Sequence, residues 1–394
     1  MGKFKIINAK LITPYRIVED AEVLYEDGII TYAGKKTGEC DNCKVIDAEG
    51  LYVSPGLIDI HTHGGGGYDF MDGTVEAFTG AASKHAEHGT TALVATTLTS
   101  TLDELKNSLE IFKEAKKSEY NGAILLGLHL EGPYFAMSQK GAQDPRYIKN
   151  PDPEEYMKIL SWSDDILRWS AAPELEGAME FGRRLKSKGL LVSIAHADAI
   201  SSQVEEAFEN GFTHVTHLYS AMSGVSRRNA FRYGGIIESA YLIDEMTVEI
   251  IADGVHLPPE LLKLIYKIKG PSRTVLVTDS MRAAGMPDGE SILGSLKDGQ
   301  KVIVEDNVAK LLDRTAFAGS TATADRLIRN MIRLAGATVT DAVRMMTSTP
   351  ASILGIDNKK GSLIPGKDAD IIFFDENINI KRTIVGGKTV FVKE

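Results

Sequence analysis

Eight apolar runs of strand length, most of them followed by a stretch of helical period, constrain this chain more than any other feature of its sequence. The first begins at Leu57, and the others are TTALVATTLTS, AILLGLHLEGPY, ILRWSAAPE, LLVSIAHADA, FTHVTHLYSAM, TVEIIADGVH and RTVLVTDSM. Helical patterns occupy 74–88, 102–117, 153–160, 177–188, 201–210, 259–269, 322–334 and 339–354. Strands alternating with helices predict a parallel sheet, and eight such units predict a closed (β/α)8 barrel of the TIM type. The two chain ends read differently. Both carry short β-type runs between Gly, Asp and Asn turns and no helical period, so they are expected to pair into one small β-sandwich domain. The expected division is 1–54 plus 355–394 for that domain and 55–354 for the barrel. With 394 residues, 43% of them hydrophobic, the chain can bury one barrel-sized core and a smaller one.

The positions of the polar residues turn the strand count into a chemical statement. Run after run ends in a group able to ligate or transfer a proton: His61 and His63, Glu131, Glu174, His196, His217, His256 and Asp279. In a (β/α)8 barrel these C-terminal strand ends converge on one mouth, where the active site lies. Within PGLIDIHTHGGGG, His61 and His63 stand two apart and so share a strand face, just where the glycines allow a sharp bend. Alone, that motif fits a metal seat and a pair of surface histidines equally. The other histidines serve as a control. His85 and His88 fall on the first helix and His214 at an odd offset from His217, which assigns them to surface or packing, and His129 lies two residues below Glu131 in an inner layer.

Four imidazoles and a carboxylate at strand ends suit one or two divalent metals, with N and O donors favouring zinc, iron or manganese over calcium. Such an ion would lower the pKa of a water it holds toward about 7. Asp279, ending VTD, suits the base that takes that water's proton and passes it to a leaving group, although a helix N-cap explains the residue in isolation. Arg227 and Arg228, with Arg232 close by, concentrate positive charge after the sixth run and could meet a phosphate or carboxylate, or simply a solvated loop. Ala318, Gly319 and Ser320 offer backbone N–H groups or an N-cap serine.

A net charge of -10 provides no general field for nucleic acid or an anionic membrane. No run of about 18 apolar residues is present and MGKFKIINAK lacks a signal-peptide core, so a cytoplasmic location is expected. Cys40 and Cys43, in a polar turn, lack a second ligand pair for zinc and read as a reduced pair.

PGLIDIHTHG, HLEGPY, the strand ends at His196 and His217, ADGVH, VTDSMRAAGMPDG, AGS and GSLIPGKDADIIFFD together resemble the amidohydrolase superfamily, and within it the N-acetylglucosamine-6-phosphate deacetylase family. The resemblance runs over nearly the whole chain. It implies hydrolysis of an amino-sugar phosphate to the free amine and acetate by a metal-activated water. It implies one or two divalent ions, zinc first, with iron, manganese or cobalt as other candidates. Glu131, His196 and His217 would hold one ion, His61 and His63 a second, and Asp279 would shuttle the proton. His256 and Arg228 would hold the sugar phosphate, with Arg227 as the neighbouring candidate, and Ala142, Ser220, Ala221, Phe317, Ala318 and Gly319 would line the sugar site. A homodimer is also implied, because the arginine comes from the adjoining subunit. Three departures bear on the substrate. Gln143 stands where many relatives have a histidine that polarises the acetamide, Ser220 replaces an asparagine, and RRNAFRYGG replaces a compact REPG. The alternatives are another N-acyl amino sugar, an N-acyl amino acid, a cyclic amide, and a non-catalytic barrel scaffold.

Overall fold

The computed structural model describes all residues except 1, 37–39, 41 and 394, together with the side chain of Arg228. The eight apolar runs form β1 (Leu57–Thr62), β2 (Thr90–Thr97), β3 (Ile124–Glu131), β4 (Ile166–Ala171), β5 (Leu191–Ile194), β6 (Phe212–Val215), β7 (Thr247–Ile250) and β8 (Thr274–Leu276). Each pairs in parallel with the next in chain order, giving one eight-stranded sheet from β1 to β8. Buried on both faces, these strands read as continuous apolar runs rather than alternating ones. The fold is a TIM-type barrel. Its seam between β1 and β8 is joined at the mouth by Asp279 N–H donating to the His61 carbonyl (2.9 Å) and His63 N–H to that of Ser280 (2.9 Å). At the opposite end the Met345 and Met346 carbonyls accept from Leu276 and Ile58 N–H groups.

Helices cover the barrel where the 3.6-residue period placed them, for example Val75–Glu87, Leu102–Ala115 and Pro259–Lys269. Their ends are set locally. Thr101 and Glu104 form a reciprocal capping box at one start, and Thr74 caps another. The last predicted pair is more broken than expected: Ala324–Asn330 passes into a π turn at Met331–Ala335, and 339–354 divides into Val339–Arg344 and Ser348–Ile353.

Both chain ends join one further eight-stranded sheet, in which Tyr52–Pro55 pairs with Lys3–Ile12 on one side and Ile371–Phe374 on the other. Its buried face packs Ile6, Val23, Tyr25, Val53, Ile371 and Phe373. Cys40 and Cys43 stand close together, with 5.8 Å between their Cα atoms. A four-stranded antiparallel sheet, Gly289–Leu293, Gln300–Glu305, Val308–Leu311 and Phe317–Ser320, follows β8 and was not anticipated. It is anchored by Arg282, which pairs with Asp72 (2.7 Å) and donates to the Ile292 and Gly294 carbonyls. Among the described residues no helix is long and apolar enough to cross a membrane.

Candidate active site

The strand ends converge as the barrel requires. Glu131 ends β3, and His61 lies in β1 with His63 just beyond it. His196 and His217 follow β5 and β6, and Asp279 follows β8. The turn after β1 is tight because Gly64 approaches the Tyr68 carbonyl so closely that a Cβ would collide with it, and Gly67 takes φ 93°. His196 (φ 46°), His217 (φ 30°) and Asp279 (φ 45°) also adopt the left-handed region, a strained conformation for residues with side chains that collects at functional sites.

Glu131 is the hub. Its Oε1 lies 3.1 Å from His217 Nε2, 3.6 Å from His196 Nε2 and 3.5 Å from His61 Nε2, and its Oε2 lies 3.3 Å from His63 Nε2. Asp279 Oδ1 is 3.4 Å from His61 Nε2 and 3.2 Å from His63 Nε2. All four imidazoles therefore turn Nε2 inward. Two are fixed from behind: His196 Nδ1 donates to the Gln139 carbonyl (2.8 Å), and His61 Nδ1 to Glu249 Oε2 (3.2 Å). Burial opposes charge on the two carboxylates. The imidazoles, His61 foremost, outweigh it, holding Glu131 well below and Asp279 below their ordinary values. Burial also opposes charge on His63, but hydrogen bonds to Asp279 and Glu131 push it up to about 10.

These residues form two triads, Glu131/His196/His217 and His61/His63/Asp279, each offering ligand atoms within 4.8 Å of one another. Two observations test whether a divalent ion fits. Tetrahedral bonds of about 2.0–2.1 Å place neighbouring donors roughly 3.3–3.4 Å apart, close to the 3.1–3.6 Å spacings between imidazole nitrogens and carboxylate oxygens here. Of the inward-facing ring nitrogens, His61 Nε2 is buried with no hydrogen-bond partner among the described residues. A buried polar atom is costly unless something occupies it. The donor set fits a divalent cation.

Beneath the triads lies a polar layer. Glu249, fully buried on β7, is paired with the fully buried Arg168 of β4 and lies 3.2 Å from His214 Nε2. Arg168 also donates to Thr216 Oγ1 (3.0 Å) and Ser193 Oγ (3.2 Å). His129 occupies the inner position expected of it, bonded to Thr96 and Ser170. His85 and His214 are buried, not superficial: His85 Nε2 lies 3.0 Å from the Gly64 carbonyl and steadies the glycine turn, and burial lowers its pKa to about 4. Glu174 stands apart from the triads and accepts the Asp198 N–H.

Above them is a cavity of about 430 Å³, lined by Ala142, Gln143, Ser220, Ala221, His256, Phe317 and Gly319 along with the triad residues other than His61. That volume suits a sugar phosphate. Gln143 has both ends engaged: Nε2 donates to Glu131 Oε2 (2.9 Å), and Oε1 accepts from Thr99 N–H (3.0 Å). One amide hydrogen remains for a ligand. Ala318 is fully buried among Met281, Val302 and Ala309 beside the cavity, not on its wall. Arg227 is exposed on a two-stranded hairpin (Ser226–Arg228 with Phe231–Tyr233) and does not line its own chain's cavity. The side chain of Arg228 lies outside the described residues.

Sequence reasoning missed Leu98, Leu293 and Ala316 on the cavity wall, and the anchors Glu249, Arg168 and Asp253. The wall residues gave no signal, since two belong to the unanticipated sheet region. The first two anchors did, because a charge inside the apolar runs TVEII and ILRW implies a buried partner.

Residues 52–390 match the model of the Amidohydrolase family. The N-acetylglucosamine-6-phosphate deacetylase of Bacillus subtilis (strain 168) is 34% identical, over 98% of this chain and 96% of its own. The N-acetylgalactosamine-6-phosphate deacetylase of Escherichia coli O157:H7 is 32% identical over 96% of this chain and 97% of its own. Among solved structures, an N-acetyl-D-glucosamine-6-phosphate deacetylase variant from Mycobacterium smegmatis, in complex with N-acetyl-D-glucosamine 6-phosphate, matches with a TM-score of 0.91 at 27% identity, covering 100% of both chains.

Proposed function

This chain belongs to the amidohydrolase family, and from that premise we infer that it hydrolyses N-acetyl-D-glucosamine 6-phosphate to D-glucosamine 6-phosphate and acetate. The observation that carries the reading is a single mouth holding two ligand triads that share Glu131 as neighbour, with Asp279 reaching both His61 and His63. A bound divalent ion supplies Lewis-acid activation of the attacking water and of the acetyl carbonyl. Asp279, an acceptor held ionised by its neighbours, takes a proton from that water and returns it to the departing amine. The water's oxygen joins the acetyl carbon, the C–N bond breaks, and the amine leaves with the returned proton. Gln143 keeps Glu131 oriented and has one amide hydrogen left to steady the carbonyl oxygen. His256 and Phe317, in contact at 4.7 Å between ring centroids, form the far wall for the sugar, with Ser220, Ala221 and Ala142 beside it.

The finer assignments are proposals. Zinc is the first choice of ion, because three protein ligands drawn from imidazoles and a carboxylate form a common catalytic zinc set. The chain is proposed to act as a homodimer in the cytoplasm, where a phosphorylated sugar is retained. The hairpin bearing Arg227 and Arg228 stands clear of its own cavity, which suits a donor to the phosphate end of a second subunit. The relative acting on N-acetylgalactosamine 6-phosphate makes the C4 epimer the second reading.

Acetate release by zinc-loaded protein, measured across both phosphorylated epimers and their unphosphorylated forms, tests this. Preference for N-acetylglucosamine 6-phosphate is expected, and Asp279→Asn should lower turnover about 10²–10⁴-fold. Absence of acetate from every substrate, with the variant and the unchanged protein alike, would overturn the reading.

A further inference from the structure

Leu98, just beyond β2, and Leu293, in the first strand of the sheet that follows β8, line the catalytic cavity but take no part in ligating an ion or moving a proton. With Ala142 and Gln143 they also line a second cavity, of about 780 Å³. They are therefore the partition between the two. The second space is polar and faces solvent, for Arg146, Lys297 and Asp298 stand exposed on its walls. The partition is apolar and firmly held. Leu293 is 5% exposed, in a cluster with Met281 and Val302 against which Leu98 packs. Next to it Gly294 donates its N–H to the buried Asp69 (3.0 Å) and accepts from Arg282 (2.6 Å). A Cβ at Gly294 would lie 3.4 Å from Leu98 Cδ1, so the two segments close on each other.

Gln143 fixes where this partition stands relative to the reacting atoms. Its side chain spans from Glu131 (2.9 Å) to the N–H of Thr99 (3.0 Å), the residue after Leu98. The end of β2 is thus one glutamine away from the carboxylate at which the two triads meet. An amide carbon attacked there carries an oxygen, a nitrogen and an acyl chain. The oxygen faces the donors at the triads, and the nitrogen bears the sugar toward His256 and Phe317. What is left for the chain is the apolar wall that the sugar does not use.

We propose that Leu98 and Leu293 are specificity-determining residues: they seat the acyl chain and limit its length, admitting acetyl and excluding longer N-acyl groups from the space behind them. The proposal rests on the deacetylase reading above and adds the acyl side of its substrate. A methyl group suits an apolar seat. A chain two methylenes longer meets packed side chains, which yield only at a cost. Removing either leucine joins the two cavities and gives that chain room.

The test is kcat/KM for N-acetyl-, N-propanoyl- and N-butanoyl-glucosamine 6-phosphate, read by release of the amine from the metal-loaded protein and from Leu98→Ala, Leu293→Ala and Leu98→Phe. One methylene in a fitted apolar pocket changes kcat/KM about 10–200-fold. The unchanged protein should therefore favour acetyl over butanoyl by at least about 100-fold, and either alanine variant should shrink that ratio by at least about tenfold. Leu98→Phe should widen the gap between acetyl and propanoyl. The ratio is the readout, because a variant that merely loosened the fold would slow all three substrates alike. Leu98 is only half-buried, so its variants keep the test open if Leu293→Ala fails to fold. Equal turnover of acetyl and butanoyl substrates by the unchanged protein would overturn the proposal, as would an unmoved ratio in either folded alanine variant. Release of amine from none of the three by the unchanged protein would overturn the deacetylase reading and the proposal with it, an outcome distinct from the other two.

Discussion

The two ligand triads share one mouth but are built into different parts of the barrel. Glu131, His196 and His217 extend β3, β5 and β6, which lie within the continuous run of paired strands. His61, His63 and Asp279 straddle the seam, where β1 and the residues after β8 are joined by Asp279 N–H to the His61 carbonyl and His63 N–H to that of Ser280. The first triad is positioned by a sheet that exists for the sake of the fold. The second depends on local supports: Glu249 behind His61, and the Thr62, Ser280 and His85 cluster beneath the glycine turn. Occupancy of the second should therefore be the more sensitive to changes nearby, with Glu131 as the point at which both fail together.

Glu131→Gln is the change expected to erase the distinction, since all four imidazoles approach this carboxylate. Metal analysis should show loss from both triads, and acetate release should fall by more than the roughly 10²–10⁴-fold that removal of a proton-transfer group produces. Retention of the full metal complement would show that the triads are independent. Asp279→Asn comes next. It leaves the first triad intact, so metal there should remain while kcat drops about 10²–10⁴-fold. A comparable fall in bound metal at the first triad would instead make Asp279 a support for both.

Much of this division was legible in the amino-acid sequence, for a physical reason. Parallel strands buried on both faces are largely apolar until they reach the mouth, so Glu131, His196, His217 and Asp279 stand out as ionisable residues at the ends of long apolar runs. Positions determined by close approach across the barrel carried no such mark. The left-handed backbone at His196, His217 and Asp279 has no composition signature, since side-chain-bearing residues rarely adopt it. The sheet after β8 was lost because its strands are short and half exposed, although QKVIVEDNVAKL has the alternation and Asp-Asn turn of a hairpin. His214, assigned to surface or packing from its offset, is buried and lies 3.2 Å from Glu249.

Glu249→Gln probes the supports of the second triad. The substitution leaves one acceptor oxygen where two are in use, Oε2 for His61 Nδ1 and Oε1 for Arg168 and His214, and it leaves Arg168 buried without its counter-charge. Loss of a group that orients a metal-binding histidine lowers metal affinity about 10–100-fold. The expected result is a second-triad affinity reduced by that factor, with the first triad unchanged, in titrations of folded protein. Unfolding one such buried pair is costly, roughly 3–5 kcal/mol when a single partner is removed, so a lower midpoint in urea should accompany it. Equal weakening of both triads would mean that the layer beneath supports the mouth as a unit, and the contrast between seam and sheet would lose its basis.

The smallest effect is expected from a pair remote from both triads, which makes it the control for all three changes. Asp325 receives His88 Nδ1 at 3.1 Å, Thr323 Oγ1 at 2.6 Å and Arg329 at 3.1 Å. Burial works against its charge, but the bond to His88 leads the contributions that lower its pKa from 3.8 to about 2. A depressed carboxylate stabilises the folded state above its unfolded pKa, and that contribution is lost as pH falls through the folded value. Asp325→Asn should therefore cost about 2 kcal/mol at pH 7, read from urea midpoints. The difference from the unchanged protein should narrow by about half at pH 3. Metal content and KM should stay the same, since no ligand of either triad touches this pair. A pH-independent difference would assign the cost to packing. A change in bound metal would show that strain on the outer helices reaches the mouth, and the different sensitivities of the two triads could then no longer be ascribed to their immediate supports.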